Sequence, residues 1–142
     1  MNLENNPTWM PVVAAALTDN DGRWLMHCRP DGKHHAGLWE FPGGKVEVTE
    51  TPENALVREI QEELGIAISK ADLVPAGFAQ EVDANGRPQI VILLYTCKCW
   101  EGEPHALEGG GIGWFTPLEI AALDKPPLDQ RLAAQLFGDF SR

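Results

Sequence analysis

Residues 52–64, PENALVREIQEEL, constrain the chain more than any other stretch. Thr51 is a good helix N-cap, Pro52 suits the first helical position, and Glu53 complements the positive helix end. Gly65 is a ready C-terminal stop. The spacing predicts a helix over Pro52–Leu64. Leu56, Val57, Ile60 and Leu64 recur at helical spacing, so this face must be buried. Glu59, Glu62 and Glu63 are related by i, i+3 and i+4 and share another stripe. Three carboxylates this close repel one another, which costs stability unless cations neutralise them. Taken alone, a solvated acidic face explains them. Magnesium and manganese explain them too, being hard ions that bind carboxylates together with substrate phosphates.

Strands flank this helix. Met10–Leu17 is apolar and reads as a buried strand, Asp19-Asn20-Asp21-Gly22 as a turn, and Trp24–Arg29 as the returning strand. Asp31–Gly37 is a polar loop carrying His34 and His35. Leu38–Pro42 reads as a short extended piece ending in Gly43-Gly44, and the alternation of Lys45, Val46, Glu47 and Val48 predicts another short strand. Leu73–Val82 and Gln89–Trp100 read as long strands joined through a hairpin signal, Asp83-Ala84-Asn85-Gly86. A glycine-rich loop at Gly109–Gly111 precedes a short strand at Ile112–Phe115 and a short helix at Pro117–Leu123. Leu128–Phe137 predicts a last helix, with Leu128, Leu132, Leu136 and Phe137 on one side. With no repeat, low-complexity tract or long linker, this order predicts one α/β (α+β) domain over residues 1–142, a mixed sheet covered by helices.

A chain of 142 residues, 44% hydrophobic and 23% charged, needs no disulfide or structural metal to fold. The three cysteines are odd in number and lack a C-x-x-C pair, which suits reduced packing residues. The formal net charge of −10 argues against DNA, RNA or anionic membranes as partners. It also means that an anionic phosphate substrate needs a cation to enter. The opening MNLENNPTWM has neither a basic start nor an apolar core, and IVILLY at Ile90–Tyr95 is too short for a bilayer. A cytoplasmic location is expected.

The acidic stripe does not stand alone. The string from Gly44 to Ile66, GKVEVTETPENALVREIQEELGI, resembles the Nudix box, G-x5-E-x7-R-E-U-x-E-E-x-G-U, with U a bulky aliphatic residue. Gly44, Glu50, Arg58, Glu59, Ile60, Glu62, Glu63, Gly65 and Ile66 fill every constrained position, and so long a match is specific. LWEFPGGK before the box, and WEGEP followed by Glu108 after it, are similar to the MutT-like branch. The resemblance implies a Nudix-type α/β/α sandwich and magnesium-dependent hydrolysis of a diphosphate linkage, with manganese as an alternative ion. It implies that Glu59, Glu62 and Glu63 hold the metal, with Glu108 and the carbonyl of Gly43 approaching it; alone, Glu108 reads as an exposed loop acid. Water would attack phosphorus in line, with a glutamate as general base. Glu59, Glu62 and Glu63 are the best candidates, Glu108 a further one, and the motif leaves the choice open. Arg58 would orient a carboxylate through charge-assisted bonds, and Glu50 would bind Arg58 and shape the loop entering the helix. Gly44 and Gly65 belong to the motif's architecture.

Substrate contacts carry weaker signals. Arg29 resembles an arginine that contacts nucleotide in MutT-like proteins, against an ordinary surface ion pair. His34 and His35 either contact phosphate or base or are simply solvated, and Lys45 is grouped with the substrate-binding residues. Phe41 either borders the base or packs in the core. Asp129 follows Pro126-Pro127-Leu128, where a MutT-like side chain reads the base edge. The usual bacterial residue there is an amide. An acid can accept from the ring N–H and amine of guanine, or it is merely a surface acid or helix cap. The expected partner is a small-molecule nucleotide: a purine nucleoside triphosphate, an oxidised guanine form such as 8-oxo-dGTP favoured, cleaved to monophosphate and pyrophosphate. ADP-ribose, a nucleotide sugar or a dinucleoside polyphosphate are alternatives. A non-catalytic Nudix-fold module is another, although such modules tend to lose box glutamates that this chain keeps. Oligomeric state is not legible in the sequence.

Overall fold

A computed structural model describes residues 8–82 and 85–138. The strands are β1 (Trp9–Leu17), β2 (Trp24–Cys28), β3 (Trp39–Glu40), β4 (Gly43–Lys45), β5 (Val74–Gln80), β6 (Gln89–Cys97) and β7 (Gly111–Phe115). The helices are α1 (Pro52–Leu64), α2 (Pro117–Ala122) and α3 (Pro127–Phe137), with a 3-10 turn at Lys70–Asp72 that the sequence did not announce. One sheet has the order β4-β1-β6-β5; β1 runs parallel to β6 and the other pairs are antiparallel. A smaller antiparallel sheet has the order β3-β2-β7.

β1 is apolar on both faces because both are covered, as its unbroken hydrophobic run requires. Val13, Ala15 and Leu17 pack with Leu56, Ile60 and Leu64 of α1. Ala14 and Ala16 pack with Met26, Phe41, Ile120 and Leu132 on the other side. The result is an α/β/α sandwich around a mixed sheet. Each fully buried leucine or isoleucine of α1 contributes roughly 1.5–3 kcal/mol. The helix ends follow the caps in the sequence. Thr51 accepts the Asn54 N–H at 3.2 Å, and Gly65, at φ 74°, donates its N–H to the Gln61 carbonyl at 3.0 Å.

Several strand boundaries differ from expectation, β5 among them at Val74–Gln80 in place of Leu73–Val82. The strand expected over Lys45–Val48 lies instead at Gly43–Lys45, where it pairs with Val12–Ala14 of β1. Glu47 and Val48 leave the ladder because the Glu50 carboxylate accepts the Glu47 N–H at 3.0 Å, offering the backbone a turn in place of a strand. Between Leu38 and Pro42 only Trp39 and Glu40 are paired. β6 stops at Cys97, whose thiol donates to the carbonyl of Cys99 at 3.1 Å, so Cys99 sits outside the strand. All three cysteines are free. β5 and β6 pair antiparallel as the hairpin signal implies, and Asn85 and Gly86 both have positive φ. Asp83 and Ala84 lie outside the described residues, as does most of the opening segment. No helix among the described residues is long and apolar enough to cross a membrane.

Candidate active site

The glutamates of α1 reach β4 because β4 is built of glycine. A Cβ on Gly44 would run into the Glu59 carboxylate, and one on Gly43 into the Val13 carbonyl. The bare backbone lets α1 close over the strand. Glu63 Oε2 accepts the Gly43 N–H at 3.3 Å. The three acids are not one solvated stripe: Glu63 is 7% exposed, whereas the Glu62 side chain is 50% exposed. The end of α1 also recruits the later loop. His105 and Leu107 donate their N–H groups to the carbonyls of Leu64 and Glu63, each at 3.0 Å. These amides satisfy carbonyls that a helix end leaves free, and they bring the exposed Glu108 towards Glu63. Burial pushes the Glu63 carboxyl up to about 8; Glu40, Glu108 and Glu59 push the same way, against the Gly43 N–H.

Arg58 organises the outer acids. Its Nε and Nη2 donate to both Glu50 oxygens at 2.6 and 2.8 Å, and Nη1 donates to Glu59 at 2.8 Å and Glu62 at 3.3 Å. Nη2 also reaches the Lys45 carbonyl at 3.1 Å, tying α1 to the end of β4. The paired guanidinium holds the Glu50 carboxyl at about 2. With Arg58 engaging Glu59 and Glu62, no three His, Cys, Asp or Glu side chains among the described residues are set to hold an ion as they stand. The chemistry of the set nonetheless fits a hard divalent cation. Its donors are all oxygens, and the buried Glu63 faces other carboxylates with only one N–H opposing them.

A second group forms where β2, β3 and α3 meet. Arg29 Nη1 donates to both Glu40 oxygens at 2.9 and 3.1 Å, while its buried Nε has no hydrogen-bond partner among the described residues. Asp129 is 5% exposed, and its Oδ2 accepts the Phe41 N–H at 3.0 Å. Burial pushes its carboxyl up to about 7; Glu40 adds to this, and the Phe41 N–H and Arg29 oppose it. Asp129 is therefore neither a surface acid nor an N-cap. Phe41 is 4% exposed and its ring belongs to the second core, so its backbone, not its ring, meets this group. His34 is exposed and lies against His35, ring centroids 3.8 Å apart, and the Lys45 side chain is exposed on β4.

Residues 8–136 match the family model of the NUDIX domain. The chain belongs to the Nudix hydrolase family. It is 38% identical over 127 residues to the 8-oxo-dGTP diphosphatase of Escherichia coli (strain K12), covering 89% of this chain and 95% of that one. It is 39% identical over 122 residues to the CTP pyrophosphohydrolase of the same strain, covering 84% of this chain and 86% of that one. The solved E. coli ORF135 protein superposes with a TM-score of 0.79 at 33% identity, over 95% of this chain and 92% of that one. The MutT NUDIX hydrolase from Burkholderia pseudomallei gives 0.73 at 34% identity, over 90% of this chain and 97% of that one.

Two residues of this Nudix site did not stand out in the sequence. Glu40 pairs Arg29 and pushes on both raised carboxyls. His27, 5% exposed in β2, bonds the Gly109 carbonyl through Nε2 at 3.0 Å. The signal available was a histidine in an otherwise apolar strand. The Arg58 hub carries an expected outcome. Arg58→Ala leaves the Glu50 carboxylate without its guanidinium donor. A lowered melting temperature, by about 3 °C or more in a chain of this size, should accompany reduced turnover. Unchanged melting would show that the hub adds nothing to the fold.

Proposed function

We propose that this Nudix hydrolase acts as a single domain over residues 1–142 and hydrolyses a nucleoside triphosphate to monophosphate and pyrophosphate, with an oxidised purine such as 8-oxo-dGTP favoured. The supporting observation is the packing of Glu59 and Glu63 against Gly44 and Gly43, with the Glu108 loop tied to the same helix end. Glu59, Glu62, Glu63, Glu108 and the Gly43 carbonyl would hold magnesium, or manganese in its place. When bound, the ion polarises phosphoryl oxygens and lowers the pKa of water. One glutamate takes the proton of the attacking water as the leaving phosphate departs in line. Arg58, held by Glu50, sets the orientation of Glu59 and Glu62, while Gly65 ends α1. Arg29 and His34 contact the nucleotide, and Lys45 supplies positive charge to a substrate that meets a chain of net charge −10. Asp129 reads the base.

A second reading, a cytosine nucleotide, is favoured by the CTP-hydrolysing relative and by Asp129 itself. With its carboxyl at about 7, Asp129 is present in both forms near neutrality. Ionised, it accepts from the guanine ring N–H and amine. Protonated, it donates to cytosine N3 and accepts from its amine. The test is initial rates for 8-oxo-dGTP, dGTP, dATP, CTP, dCTP and ADP-ribose at equal low concentration with magnesium. The oxidised purine should lead by about tenfold, or about 1.4 kcal/mol of discrimination. A tenfold lead for CTP moves the base reading to cytosine, and a lead for ADP-ribose sinks the triphosphate reading.

Asp129 also predicts a pH-dependent stability. Its carboxyl is raised from 3.8 to about 7 in the fold, so the folded chain holds this proton where the unfolded chain has shed it. The neutral form costs nothing below the unfolded value. Stability is then lost as pH climbs from about 4 to about 7, and no further above that. Asp129→Asn, which keeps an oxygen for the Phe41 N–H, should therefore gain melting temperature relative to wild type across that window, by about 4 °C or more at its top. A gap independent of pH would refute the burial of this acid.

A further inference from the structure

We propose that the outer edge of β5 is a pairing surface for the same edge of a second copy of this chain, and that Arg131 and Gln135 of α3 hold it shut. β5 is the last strand of the larger sheet, and among the described residues no strand pairs its outer side. Such an edge invites strand addition unless it is charged, broken or covered. The strand Val74–Gln80, VPAGFAQ, carries no charge, and Val74 and Phe78 are 58% and 56% exposed. Its first half is broken. Pro75 brings no N–H, and the ladder to β6 shifts register between Pro75 and Gly77. From Gly77 to Gln80 the pairing with β6 is regular, so this stretch can accept a further strand.

Side chains of α3 cover that stretch. Arg131 and Gln135 lie one helical turn apart and are exposed, while Leu132 and Ala133 between them are buried in the second core. Gln135 Oε1 accepts the Phe78 N–H at 3.1 Å, and its Nε2 donates to the Phe78 carbonyl at 2.7 Å. These are the two bonds that a residue opposite Phe78 on an antiparallel strand would make. Arg131 Nη1 donates to the Gln80 carbonyl at 2.7 Å, one strand period further on. Gly77 makes room for the clamp, since a Cβ there would run into Gln135 Oε1. A second copy fits the same bonds. Two antiparallel β5 edges related by a two-fold axis at Phe78 are self-complementary, the N–H of each Phe78 meeting the carbonyl of the other. Strand pairing and the Gln135 clamp therefore compete for one set of backbone groups.

The test is sedimentation velocity of the full chain across the micromolar range, with amide hydrogen exchange of the Phe78 N–H followed by nuclear magnetic resonance. Arg131→Ala combined with Gln135→Ala opens the edge and leaves good helix formers at two exposed positions, so the melting transition should be retained. Wild type should remain a monomer, with the Phe78 N–H protected at every concentration. The double variant should dimerise roughly tenfold or more tightly than wild type. Its Phe78 N–H should exchange faster than in wild type when dilute and become protected again when concentrated. A folded double variant that stays monomeric throughout overturns the proposal. So does association that leaves the Phe78 N–H unprotected, since the contact then lies elsewhere, and so does a wild-type chain that associates as tightly as the variant. Gln135→Ala alone, which vacates Phe78 and keeps Arg131 in place, decides by the same readings if the double variant does not fold.

Discussion

Glu63→Gln is expected to lower kcat by roughly 10² or more while the fold keeps or gains stability. The change is isosteric, and the new amide oxygen can still accept the Gly43 N–H that Glu63 Oε2 accepts now. What disappears is a carboxyl whose ionisation the fold opposes, since burial and the charges of Glu40, Glu108 and Glu59 raise it to about 8. Near neutrality the fold bears the cost of that crowding, so its removal should not lower the melting temperature. Glu62→Gln should lose turnover to a similar degree for a different reason. Glu62 is half exposed and gives Arg58 only its longest hydrogen bond, 3.3 Å, so stability should barely move. Steady-state kinetics and thermal melting by circular dichroism read both effects. Near-normal turnover in both folded variants would remove these glutamates from the mechanism. Lost turnover with raised melting in Glu63→Gln would mark a residue kept for chemistry at the expense of the fold.

The difference between Glu62 and Glu63 also shows what the sequence can and cannot carry. The caps and apolar stripe of α1 are local, so Thr51, Pro52 and Gly65 mark its ends and Leu56, Ile60 and Leu64 its buried face. Glu63, three residues after Ile60 and beside Leu64, lies on the border of that face. Whether the border is wet depends on β4 and on the loop near residue 107, which periodicity within the helix does not see. The Asp129–Phe41 bond joins residues 88 apart, and the Arg29–Glu40 pair needs β2 and β3 in register. Neither follows from spacing. The alternation of Lys45–Val48 looked like strand because side-chain pattern cannot register that the Glu50 carboxylate claims the Glu47 N–H. The Nudix box carried the identity of the acids; tertiary packing decided which of them is buried.

Chelation is expected to abolish turnover on every accepted nucleotide, by roughly 10³ or more, and added magnesium or manganese to restore it. The chain carries a net charge of −10, and Glu63 is held against Glu40, Glu59 and Glu108 with a single backbone N–H opposing them. A triphosphate adds several negative charges beside these acids. At the contact distances of a bound phosphate, each unscreened like-charge pair costs on the order of 1–4 kcal/mol at the dielectric of water or of a protein surface. Arg58 does not relieve this, since its donors are committed to Glu50, Glu59 and Glu62. Arg29 is likewise paired with Glu40. Two controls separate coordination from simple neutralisation. Sodium chloride at 0.5 M or so shortens the screening length to a few ångströms and should restore nothing in chelator. Magnesium should raise the melting temperature without nucleotide, because an ion that binds only the folded chain stabilises it. Full activity in excess chelator would sink the metal mechanism, and rescue by sodium chloride alone would reduce the ion to a screening role.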